Sequence, residues 1–215
     1  MKKFAVILAG SGVYDGAEIH EATLTLLAIA KAGATYEIFA PDMVQHHVIN
    51  HLNGDVMNEK RNVLVESARI ARGAIRPVSD FRAQDFDALI FPGGFGVAKN
   101  LCTWAFEGDK CKVHPEVEKA IIEMHKAGKP IGAMCIAPVI LGKLFKGSQL
   151  TTGQDKASGD FIEKMGSRYI PATHGEVVID KEKKLFSTPC YMLDAGILQI
   201  AEGTENIVRE MMKVM

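Results

Sequence analysis

No CxxC pair, no block of like charges and no apolar run long enough to span a bilayer occurs in this chain of 215 residues. Four cysteines at 102, 111, 135 and 190, none closely paired, support neither a zinc knuckle nor a disulfide framework, so reduced thiols are expected. With 25 Lys plus Arg against 26 Asp plus Glu, the net charge of -1 leaves no electrostatic footprint for nucleic acid and no polybasic membrane contact. Met1 to Gly10 carries two lysines, a short apolar run and no signal-peptide cleavage pattern, so a cytoplasmic protein is expected. A GKS or GKT phosphate loop is missing, and Gly10-Ser11-Gly12 followed by Gly16 departs from GxGxxG because its third glycine comes one residue late. No nucleotide cofactor is implied. His46, His47 and His51 lack an acid or cysteine at ligand spacing, so no metal is assigned and a solvated loop is the simpler reading. Repeats, low-complexity tracts and linkers are absent too, and the length suits one domain over residues 1–215.

What the chain does contain is an alternation of apolar strands and amphipathic helices. Phe4 to Ala9 is a continuous apolar run ended by glycines, the pattern of a strand buried on both faces. A helix follows, with Asp15 as cap, Glu18 as its capping partner and a stripe of Ile19, Ala22, Leu26, Leu27 and Ala30 that Gly33 ends. Thr35 to Ala40, Asp87 to Phe91 and Pro130 to Met134 read as further buried strands. Helices are expected at Asn58 to Arg72, Glu116 to Lys126, just after Cys135, and over 194–201 and 205–215, with a hairpin-like stretch at Val177 to Ser187. Pro41 to Gly54 reads as a polar, irregular insertion. This order argues for an α/β doubly wound sandwich, a mostly parallel sheet with helices on both faces. Sites in such sheets lie beyond the C-terminal strand ends. Three of those ends carry suggestive residues: the loop leading to Glu18 and Glu21, the Gly93-Gly94 turn, and Cys135.

Cys135 stands where an apolar strand meets a proline suited to the first turn of a helix, in Pro130-Ile-Gly-Ala-Met-Cys-Ile-Ala-Pro138. Helix amides there would favour thiolate, the nucleophilic form; the bland alternative is a small buried hydrophobe. Gly93 and Gly94 let backbone N–H groups approach a substrate and hold oxyanion charge, together with the amide of Ile136. Glu18 and Glu21 both admit the reading of dipole compensation, more so Glu18, and Glu21 is the better candidate for moving protons if partial desolvation raises its pKa. Cys102, Cys111 and Cys190 lack such a setting; the first two fall in a polar loop region. His174-Gly175-Glu176 is a competing feature, because glutamine amidotransferases of the triad type also pair an elbow cysteine with a later His-x-Glu.

Several motifs, in order, carry a resemblance: Gly12-Val-Tyr-Asp-Gly16, Glu18-Ile-His-Glu21, Pro92-Gly-Gly-Phe-Gly96, Lys99-Asn100, Met134-Cys-Ile-Ala-Pro138, and Thr188-Pro189 with Tyr191-Met192-Leu193. The chain resembles the PfpI-type superfamily of class I glutamine amidotransferase-like fold, and within it the ElbB subfamily of bacterial proteins named for isoprenoid biosynthesis and assigned a glyoxalase activity. The resemblance implies a flavodoxin-like sandwich, a homodimer, Cys135 on the elbow and Glu21 from the first helix, with Glu18 second. Relatives with protease, chaperone or deglycase activity often place a histidine directly after the cysteine. This chain has Ile136 there, and Thr151-Thr152-Gly153 offers glycine in the segment after the next strand, the other place where such relatives carry a histidine. Peptide hydrolysis, whose leaving amine needs a proton donor, is therefore set aside. The resulting expectation is a glutathione-independent glyoxalase without cofactor that turns glyoxal, or a related small aldehyde or dicarbonyl, into glycolate. A redox-sensing module with an oxidisable Cys135, and a glutaminase subunit using His174 and Glu176, are the alternatives.

Overall fold

The computed structural model describes residues 1–154 and 156–215. Its main sheet is built from β1 (Lys3–Ile7), β2 (Thr35–Ala40), β3 (Ile75–Pro77), β4 (Ala88–Phe91), β5 (Ile131–Met134), β8 (Val178–Asp180) and β9 (Leu185–Thr188). Their order is β3-β2-β1-β4-β5-β9-β8, parallel throughout except for β8, which pairs antiparallel with β9 at one edge. The central strands β1, β4, β5 and β9 are apolar or hydroxyl-bearing and almost wholly buried, because helices cover both faces. On one side α1 (Ile19–Lys31) packs against α2 (Val63–Ile70) and α7 (Ile197–Met212). On the other α4 (Pro115–Lys126) lies against β4 and β5, and α5 (Pro138–Leu144) against β5 and α6 (Lys156–Lys164). A short α3 (Trp104–Glu107) and a two-stranded parallel pair, β6 (Gln149–Leu150) with β7 (Arg168–Tyr169), complete the chain. The strand order reverses between β1 and β4, and at that switch point loops diverge to opposite faces and leave a crevice. The doubly wound sandwich expected from the alternation is the observed one.

Several local expectations fall. The first helix is capped by Glu18, whose side chain accepts from the Glu21 amide at 2.7 Å, whereas the Asp15 carboxylate accepts from Ile49 N at 2.6 Å. The buried face of α1 carries Glu21, Ala22, Thr25, Ala28 and Ile29; Ile19, Leu27 and Ala30 face outward. Leu26, Leu27 and Tyr36 instead line an open hollow of about 740 Å³ beside β2 and β3. The second helix starts only at Val63, where Asn62 caps it by accepting from Val65 N at 3.1 Å. At the C-terminus a single helix replaces the two expected, because Gly203 stays helical and its missing Cβ leaves room for Cys190 Sγ.

The polar segment after β2 does not stand away from the domain. It folds back on itself through the bridges Val44–Asn62 and Ile49–Val56 and seats on the loop after β1. Buried Asn100 clamps the two: Nδ2 donates to Ala9 O at 2.9 Å and Asp15 O at 3.0 Å, and Oδ1 accepts from His46 N at 3.0 Å. Asn100→Leu strands those buried groups, and roughly 3 kcal/mol of unfolding free energy is expected to be lost. Urea denaturation checks this; a loss under about 1 kcal/mol would mean the loops find other partners.

Candidate active site

Four neighbouring strands, β1, β4, β5 and β9, each deliver one piece of the site from their C-terminal ends. After β5 the chain turns at Cys135 with φ +58°, a conformation a side chain holds only when its surroundings enforce it. The enforcing contacts are Cys135 N to Thr188 O at 3.0 Å, and Ala137 N to Met134 O at 2.9 Å, which closes the turn into α5. Pro138 begins that helix three residues later, so the thiol is not at the helix end itself but in the turn before it. After β4, Gly93 passes so close that a Cβ would collide with Cys135 Cβ and Glu21 Oε2. Gly94, at φ +97°, lies where a Cβ would strike the Glu18 amide and Gly16 O. Only glycine fits either position.

Glu21, on the inward face of the first turn of α1, is fully buried beside the thiol. Its Oε2 accepts from Gly93 N at 2.9 Å and its Oε1 from Tyr191 N at 3.1 Å. Burial, the largest influence, pushes this carboxyl up to about 8; the Glu18 charge adds to the rise, while the two amides and the contact with Cys135 oppose it. The Cys135 thiol is also pushed well above its ordinary range, first by burial and then by the charge of Glu21. The amides of Gly94 and Ile136, which both donate to the sulfur, pull the other way. This corrects the expectation of a thiol lowered by helix amides: desolvation outweighs them. A Glu21 that keeps its proton at neutral pH removes the second obstacle to the thiolate and leaves the carboxyl as a donor toward sulfur.

Cys135, Glu21, Gly93, Gly94 and Ile136 therefore converge, although Gly93 N serves the carboxyl and not an oxyanion. Glu18 is buried nearby as the helix cap. Two residues that the sequence did not single out individually border them. His20 is exposed on α1, with Nδ1 2.8 Å from the hydroxyl of half-buried Tyr191, which stands three residues beyond β9. Their signal was position: one adjoins Glu21, the other follows the strand paired with β5. His174 and Glu176 are not joined to Cys135 by any hydrogen bond among the described residues; the Glu176 carboxylate accepts from Thr173 N in its own turn at 2.7 Å. His46 packs on Phe106 with ring centroids 4.1 Å apart and His51 stacks on Tyr14 at 4.8 Å. Cys102 and Cys111, expected in a polar loop, are buried, and Cys102 Sγ donates to Val97 O at 3.4 Å. Among the described residues no three His, Cys, Asp or Glu side chains gather as a metal site, and no helix is long and apolar enough to cross a membrane.

An elbow cysteine gripped by a buried carboxyl on a doubly wound sheet defines a class of flavodoxin-like thiol proteins. A family model described as DJ-1/PfpI family matches residues 11–188, and the chain belongs to that family. It is 42% identical over 222 residues to "Glutamine amidotransferase-like class 1 domain-containing protein 3, mitochondrial" of Homo sapiens, covering 99% of this chain and 83% of that one. The solved isoprenoid biosynthesis protein with amidotransferase-like domain from Ehrlichia chaffeensis is 36% identical, with a TM-score of 0.92 over 99% of this chain and 100% of the other. Glyoxalase III from Candida albicans shares the fold alone, at 14% identity and a TM-score of 0.62 over 100% and 97% of the two chains. The expected cytoplasmic placement does not stand: the human protein and the related ES1 proteins of Rattus norvegicus and Danio rerio are all named mitochondrial.

The raised carboxyl has a consequence for stability. An unfolded chain ionises Glu21 near 4.5 while the folded chain holds its proton to about 8, so wild-type stability falls as pH rises between those values. Glu21→Gln lacks that loss, and its stability relative to wild type is expected to improve by up to about 1.4 kcal/mol per pH unit across the window. Urea unfolding at several pH values reads this out; parallel wild-type and variant curves would show that Glu21 ionises normally.

Proposed function

We propose that the protein is a cofactor-independent glyoxalase that converts glyoxal, or a related small dicarbonyl, to the hydroxy acid. The observation that carries this reading is the proton-holding Glu21 carboxyl in contact with the Cys135 sulfur. Cys135 sulfur adds to one carbonyl carbon; Glu21 gives its proton to the carbonyl oxygen and recovers the thiol proton, leaving a hemithioacetal. The C–H proton of that carbon then passes through an enediol to the neighbouring carbon, and the intermediate becomes a thioester without gain or loss of electrons. Water cleaves the thioester to glycolate and free thiol. Gly94 N and Ile136 N, already aimed at the sulfur, lie beside the carbon it attacks and steady negative charge on its oxygen.

A solved protein of the same fold is named glyoxalase III, and at 14% identity it supports the reading by analogy of fold alone. The name of the Ehrlichia protein supports a link to isoprenoid metabolism as the setting in which such an activity would serve. The redox-sensor reading is less well supported, because peroxide reacts with thiolate and burial pushes this thiol toward its protonated form.

Purified wild type is expected to form glycolate from glyoxal without glutathione, with kcat/KM near roughly 10⁴ M⁻¹s⁻¹. Cys135→Ser should show no turnover above buffer, and Glu21→Gln should lose about 100-fold or more in kcat. Equal, slow consumption by all three proteins would reduce the activity to background thiol chemistry.

A further inference from the structure

We propose that His20 and Tyr191 form the proton-transfer couple at the mouth of the thiol site, where His20 activates the water that cleaves the thioester and Tyr191 orients the imidazole. The inference rests on the glyoxalase reading.

Glu21 is poorly placed for that last step. It is fully buried and both of its oxygens are held, by Gly93 N and Tyr191 N, so it cannot turn to meet a water arriving from solvent. Hydrolysis nevertheless requires a group on the solvent side to take the water's proton, since a thioester carbon is attacked slowly by neutral water. The position after the cysteine, where an imidazole would serve, is Ile136. His20 is the imidazole that the structure ties to this site. It precedes Glu21 on α1, is exposed, and its Nδ1 is 2.8 Å from the Tyr191 hydroxyl, with the rings 5.9 Å apart at 46°.

Tyr191 joins the two levels of the site. Its backbone N–H grips Glu21 Oε1 at 3.1 Å while its side chain holds His20, so the imidazole is indexed to the carboxyl that touches the thiol. Burial, and then the charge of Glu18, push the Tyr191 hydroxyl up, so it stays protonated. In the tautomer that carries its hydrogen on Nδ1, His20 donates to the phenol oxygen across this 2.8 Å contact, and the Nε2 lone pair is left to take a proton from water. In the step, Nε2 takes a proton from water as its oxygen bonds to the thioester carbon. The C–S bond breaks, the electron pair returns to Cys135 sulfur, and the imidazolium proton restores the thiol.

Glyoxal turnover by wild type, His20→Gln and Tyr191→Phe, with intact mass taken during the steady state, tests this; melting curves confirm that both variants fold. His20→Gln is expected to lose about 100-fold in kcat with KM within a few fold, and to carry on Cys135 an adduct of one glyoxal mass that wild type does not accumulate. Free imidazole should discharge that adduct from His20→Ala. Tyr191→Phe should fall between. Turnover by His20→Gln at the wild-type rate, or a slow variant without adduct, overturns the proposal while leaving the glyoxalase reading intact. Wild type that consumes no glyoxal overturns both.

Discussion

A carboxyl taken out of water beside a thiol taken out of water can persist only if the chain supplies enough hydrogen bonds and lets the pair share protons. The Glu21–Cys135 contact sets that demand, and four backbone amides from three loops meet it. Gly93 and Tyr191 offer amides to the carboxyl; Gly94 and Ile136 offer amides to the sulfur. Because those donors are backbone groups, their placement depends on the path of the chain and not on side-chain rotamers. That is why the turns around them are so constrained: Cys135 sits at positive φ, Gly93 and Gly94 admit no Cβ, and Cys190, one residue before Tyr191, also has positive φ at +45°.

The scaffold behind these loops is built to hold them still. Gly16 and Gly96 pack backbone on backbone, since a Cβ on either would collide with the main chain of the other or of the loop after β1, and Gly96 N donates to Gly16 O at 2.9 Å. Asn100 fastens the same loop to the histidine-bearing segment, and Glu18 N donates to Gly93 O at 2.9 Å, fixing the start of α1 against the turn after β4. The capping role of Glu18 follows from this geometry: its carboxylate satisfies the Glu21 amide, and its charge raises the carboxyl it helps to position. One residue thus links the local rule for starting a helix to the electrostatics of the site.

Desolvation has opposite uses for the two titrating groups. For Glu21 it creates a carboxylic acid able to give a proton near neutral pH. For Cys135 it withholds the thiolate until an electrophile is bound, which limits adventitious oxidation of a buried sulfur. The position after the cysteine is Ile136, and the imidazole proposed for the site comes from α1.

The fold class and the turn that places Cys135 near Glu21 were legible from residue order, because buried parallel strands are apolar throughout and a strand–cysteine–proline boundary marks a tight turn into a helix. The α1 stripe misled in part, since Ile19, Leu27 and Ala30 face outward, while polar Glu21 and Thr25 point inward. A charged residue turned to the core is invisible to hydrophobic periodicity, which assumes that polar means outward. The sign of the Cys135 shift was likewise beyond the sequence: helix amides are a local feature, but burial is set by everything packed around the sulfur. Tyr191 lies 170 residues from Glu21, and only the parallel pairing of β5 with β9 brings its amide to the carboxyl. Local chemistry, then, was written in neighbouring residues; which groups meet, and how far from water, was decided by strand order, because only the sheet converts distance along the chain into contact.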